Sequence, residues 1–95
     1  MKKQLIGSDN FILITFASTS HALKAEKVLK SNEAEFMIIP TLREISTSCG
    51  LSIKILEDSI NHYYEILLQN KVKTDGVFRV KKEGNKNHVD KIDII

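Results

Sequence analysis

The sequence predicts an α+β fold, two layers built from four strands and two helices in the order β-α-β-β-α-β. Three observations carry that expectation. Residues 11–16 and 36–39 are dense runs of aliphatic and aromatic side chains, and residues 51–56 alternate apolar with polar, as strands do. Two other segments, opening at residues 18–20 and 57–59, repeat their apolar residues at helical spacing. Between the second and third strands no helical period occurs; the segment 40–50, which holds the chain's one proline and one cysteine, connects them instead.

Taken in order, residues 1–10 are a polar lead-in around Leu5 and Ile6. Residues 11–16, Phe-Ile-Leu-Ile-Thr-Phe, show almost no polar alternation, which predicts a central strand covered on both faces. Ser18, Thr19 and Ser20 offer hydroxyls to the unpaired N–H groups of a first helical turn. Ala22, Ala25, Val28 and Leu29 then form one apolar face, and Asn32 closes the helix because asparagine tolerates the left-handed conformation. A second strand over 35–39 stops at Pro40, which cannot donate to a ladder.

The third strand sets Leu51, Ile53 and Ile55 on a buried face and Ser52 and Lys54 on a face at least partly wet. Glu57, Asp58 and Ser59 open the second helix favourably for its dipole, with Ile60, Tyr63, Tyr64, Leu67 and Leu68 as its apolar stripe and Asn70 at its end. A fourth strand over 73–80 contains Gly76, which predicts a sheet border or a bulge. Residues 81–95 are a basic tail with a Gly-Asn turn signal, either disordered or an extra edge strand.

This order matches the split βαβ, or ferredoxin-like, sandwich: a four-stranded antiparallel sheet with both helices on one face. With the first and third strands taken as central and parallel, the Cys49 loop and residues 18–20 are expected at opposite edges of the sheet. The chain is expected to form a single domain over 1–95, with its core in 11–80. Apolar residues on both faces of the first two strands leave hydrophobic surface on the bare face, which a homodimer or the tail is expected to cover.

Composition excludes several function classes. A net charge of +2, with 27% charged residues of both signs interspersed, argues against a nucleic-acid surface. The longest apolar run is four residues, against the roughly 20 that a membrane span needs. A lone cysteine forms no internal disulfide and the opening residues carry no signal-peptide segment, so a reducing cytoplasm is expected. His21, His62 and His88 lack metal-ligand spacing, and four scattered glycines make no phosphate loop, so neither metal nor cofactor is expected.

Chemistry is expected in the segment 40–50. A thiol is a useful nucleophile only as thiolate, and its ordinary pKa of about 8.5 keeps it mostly protonated unless cations or N–H donors lower it. Arg43 supplies a charge near Cys49 in sequence, while Ser46, Thr47, Ser48 and the N–H of Gly50 supply donors, and Gly50 admits close approach of another backbone. Against this stands a plain alternative, a non-catalytic binding or regulatory module in which Cys49 is a small hydrophobe beginning the third strand.

The segment Pro-Thr-Leu-Arg-Glu-Ile-Ser-Thr-Ser-Cys-Gly at 40–50, with Phe-Ala-Ser-Thr at 16–19, Ala-Glu-Lys-Val-Leu-Lys at 25–30 and Gly-Val-Phe-Arg-Val at 76–80, resembles the selenium/sulfur carrier-like domain family. These are small bacterial domains, found alone or joined to sulfur-transfer domains. The resemblance covers residues 11–80, and Leu42 stands where a proline is expected beside the arginine. It implies a carrier rather than a turnover enzyme: Cys49 accepts sulfur or selenium as a persulfide or perselenide, Arg43 stabilises the anion, and donor and acceptor proteins are the partners.

Overall fold

The computed structural model describes residues 10–42, 45 and 50–92. Strand β1 (Asn10–Phe16) is followed by helix α1 (Thr19–Ser31), strands β2 (Met37–Pro40) and β3 (Leu51–Ile55), a short 3-10 turn (Glu57–Ser59), helix α2 (Ile60–Gln69), and strands β4 (Thr74–Glu83) and β5 (Lys86–Ile92). The chain is α+β, with both helices on one face of an antiparallel sheet. That sheet has five strands in the order β2-β3-β1-β4-β5, where four were expected, with residues 81–95 either disordered or an extra edge strand; the edge strand is what forms. The fifth arises because Gly84, at φ 60°, begins a tight turn that folds the end of the chain back along β4.

The pairing corrects two further expectations. Strands β1 and β3 run antiparallel, with Thr15 opposite Ser52 and Ile12 opposite Ile55. The end of β1, which feeds α1, therefore lies at the same end of the sheet as the start of β3, not at the opposite edge. Strand β4 lies inside the sheet between β1 and β5 rather than at its border. The glycine signal marked irregularity instead: the register shifts between Thr15 and Phe16, and a Cβ on Gly76 would come within 2.9 Å of the Phe78 ring.

Strand β1 is covered on both sides, as its unbroken apolar run predicts. Ile12, Ile14 and Phe16 pack with Ala22, Ala25 and Leu29 of α1 and with Ile66 and Leu67 of α2. Phe11 and Leu13 pack on the other side with Val80 and with Ile45 from the β2–β3 connection. In α2 the buried pair is Ile66 and Leu67; Leu68, expected in the stripe, is 56% exposed.

The helices are closed by the same local device. Ser18 caps α1 by accepting from the His21 N–H at 3.4 Å. At the other end the Asn32 side chain donates to the Val28 carbonyl, and the N–H groups of Glu33 and Ala34 return to Lys30 and Leu29. In α2 the Asn70 side chain donates to Ile66, while Lys71 and Val72 return to Leu68 and Leu67. Both are Schellman closures. The left-handed residue is not the asparagine, at φ −98° in each case, but its successor, Glu33 at 55° or Lys71 at 59°. The asparagine amide satisfies a helical carbonyl, and the strain falls one residue later.

No helix among the described residues is long and apolar enough to cross a membrane.

Four substitutions test this packing and these helix ends. Phe16→Ala should cost about 3–5 kcal/mol in denaturant unfolding, since its side chain is fully buried, whereas Leu68→Ala should stay within about 0.5 kcal/mol. Glu33→Gly and Lys71→Gly should each stabilise by about 0.5–1 kcal/mol, because relief of the left-handed strain outweighs the added chain entropy.

Candidate functional site

Three connections meet at one end of the sheet. The β1–α1 turn is tied to the start of β4 by Ala17 N–H donating to the Lys73 carbonyl at 3.2 Å, and the Lys73 N–H donates to His21 Nδ1 at 3.2 Å. The β2–β3 connection leaves from the same end, as the Thr15–Ser52 and Pro40–Leu51 pairings require. Its mouth is closed by the Thr41 N–H donating to the Gly50 carbonyl at 3.0 Å and by the Thr41 and Ser52 hydroxyls, 2.7 Å apart.

Of the residues expected to carry chemistry, Arg43, Ser46, Ser48 and Cys49 lie outside the described residues, as do Glu44 and Thr47. Gly50 is exposed, and among the described residues a Cβ built on it meets nothing within 4 Å. Ile45 is buried against Phe11, Leu13 and Val80, with Leu42 packed beside them. Leu42 and Ile45 therefore lie on the face of the sheet opposite the helices. This corrects the expectation of a partly wet face: Thr15 and Ser52 are fully buried there, and Lys54 is 8% exposed.

Lys54 is the residue that sequence reasoning passed over. It stands opposite Leu13 of β1 and Met37 of β2, and its Nζ lies 4.3 Å from the centroid of the Phe11 ring. Burial lowers its pKa below the usual lysine value, and the charge of Lys82 lowers it further. No carboxylate among the described residues pairs with it. The signal was present in β3, where one lysine stands between Ile53 and Ile55 in a strand otherwise free of charge.

The histidines have other partners. His88 Nε2 lies 3.4 Å from a Glu83 carboxylate oxygen, and His62 tilts against Tyr63. Among the described residues no three metal-ligating side chains gather. Glu57 pairs with Arg79, tying the 3-10 turn to β4.

A lysine whose folded pKa is depressed binds fewer protons folded than unfolded, so its cost is complete at neutral pH. That cost is relieved as pH rises from the folded pKa towards the unfolded value of 10.5. Lys54→Met should therefore stabilise the fold at about pH 7, with the advantage shrinking towards about pH 10 in urea melts. Destabilisation at neutral pH would instead reveal a counter-charge on the amine.

No curated protein and no solved structure matches the chain. A family model does, over residues 11–79, from the second residue of β1 into β4, and that span encloses the whole β2–β3 connection. The family is described as "Putative Se/S carrier protein-like", and by this match over most of its length the chain belongs to it.

Proposed function

We propose that the chain is a sulfur or selenium carrier that holds the chalcogen on Cys49 and passes it to a partner protein. The observation that carries this reading is the family match across residues 11–79, within which the 40–50 connection holds the chain's only thiol. The chemistry is balanced without an added oxidant. The Cys49 thiolate attacks the outer sulfur of a donor persulfide, a new S–S bond forms at Cys49, and the donor's S–S bond breaks as its own thiolate leaves. An acceptor thiolate then repeats the exchange against Cys49. Arg43 and the N–H and hydroxyl groups of Ser46, Ser48 and Gly50 act on the anionic sulfur, since each favours thiolate over thiol.

The fold supports this reading at two points. The mouth of the connection is fastened by Thr41 to Gly50 and Ser52, and Ile45 anchors it to the sheet. Both constraints lower the entropy of ordering a short catalytic segment. The antiparallel order β2-β3-β1-β4, with two helices on one face, supports a ferredoxin-like frame to which β5 is appended at the edge.

Incubation with a cysteine desulfurase and cysteine should add one sulfur mass to the intact protein, removable by dithiothreitol and absent in Cys49→Ser. An unmodified wild-type protein, with the desulfurase shown to be active, would reject the carrier reading.

A further inference from the structure

The two edges of the sheet are unlike each other. Strand β2 is four residues long and ends on Pro40, which has no N–H to offer a neighbour, whereas β5 runs seven residues from Lys86 to Ile92. All of β5 lies beyond the span that the family model matches. A two-residue turn, Gly84–Asn85, joins it to β4, and the residue pair that closes such a turn exchanges both of its hydrogen bonds. Alternate pairs from Glu83–Lys86 onwards do the same. The backbone N–H and C=O groups of His88 and Asp90 therefore point to β4, and those of Val89 and Lys91 point to the outer edge. Register also aligns the side chains in rows. Val89 continues Phe11 and Val80 on the face opposite the helices, while on the helix side Asp90 stands beside Arg79 and His88 beside Lys81.

We propose that β5 pairs with β5 of a second copy of this chain about Val89, joining the two sheets into one across a two-fold axis. A strand that pairs antiparallel with its own copy sets one residue opposite its counterpart, and that residue fixes the register. Few choices survive. Centring on Lys86, Asp90 or Lys91 brings like charges face to face, and centring on Asn87, His88 or Ile92 leaves part of β5 outside the overlap. Val89 is the middle residue of the strand, so centring there pairs all of it: Lys86 with Ile92, Asn87 with Lys91 and His88 with Asp90. No like charges meet. The two Val89 residues exchange both backbone hydrogen bonds across the axis, and the apolar row from Phe11 through Val80 and Val89 runs on into the second copy. Each Asp90 then stands between its own Arg79 and the His88 of the other copy. Lysines on an edge deter pairing with most strands, but here Lys86 and Lys91 face only isoleucine and asparagine, which favours a second copy over a foreign strand. The interface is an edge, not the bare face over which a dimer was expected. It leaves the mouths of both β2–β3 connections on the far side of each sheet, and it does not rest on the carrier reading.

The test is sedimentation equilibrium of the full chain carrying Cys49→Ser, so that no disulfide links two copies. A monomer–dimer equilibrium is expected with a dissociation constant on the order of 100 μM, the weak end that suits an interface built on one strand pair. In hydrogen exchange the Val89 and Lys91 amides should gain protection as concentration rises. Lys91→Pro removes an outward N–H, leaves the bonds to β4 in place and alters an exposed side chain, and it should weaken association at least about ten-fold. His88→Asp, which sets a carboxylate opposite Asp90 at two places, should weaken it about three-fold or more, and adding Asp90→Lys should restore it. That rescue decides the matter even if Lys91→Pro fails to fold. A monomer up to about 1 mM, a dimer indifferent to these substitutions, no rescue in the double variant, or concentration-dependent changes centred on Ile39, Leu42 and Phe78 of the bare face would each overturn the proposal.

Discussion

The structure depends on one strand being buried on both of its faces. Strand β1 carries apolar side chains towards the helices and away from them, and each set demands a cover. The first is met by α1 and α2, whose small residues Ala22 and Ala25 let the helix approach the sheet closely. The second has no helix available. It is met by Ile45 and Leu42 from the β2–β3 connection, and at the sheet's far side by Val89 of β5.

That second cover links packing to function. A connection of this length would otherwise be a solvent loop, with the entropy that implies. Because Phe11, Leu13 and Val80 need apolar neighbours, the hydrophobic effect draws Leu42 and Ile45 against the sheet. The same folding buries Lys54 in a strand whose other residues are uncharged.

Much of this was legible in the residues. The two-faced burial of 11–16, the cap at Ser18 and the apolar stripe of α1 follow directly from composition and period. The errors have physical sources. Gly76 signals a departure from regular pairing, and a bulge inside the sheet produces the same letter as an edge; only the partner strand distinguishes them. For the tail, of the two alternatives read from the sequence, disorder or an extra edge strand, the structure shows the second; β5 has both faces largely wet, so no hydrophobic period chose between them. Relative strand direction is a tertiary property, and assigning it wrongly moved the Cys49 loop to the wrong end of the sheet. As for the site, Cys49, Arg43, Ser46 and Ser48 were read from residue type and family likeness, and they lie outside the described residues. Lys54 was missed because a lysine alternating with isoleucines reads as a solvated face until its cover is known.

The central claim is that Cys49 is held as a thiolate, ready to exchange sulfur. The rate of its alkylation by iodoacetamide, measured across pH, tests this most directly, because only the thiolate reacts. The account predicts a single titration with an apparent pKa well below the free value of about 8.5, moved upward by Arg43→Gln. An unreactive thiol, or one that titrates like free cysteine and ignores that substitution, would contradict it.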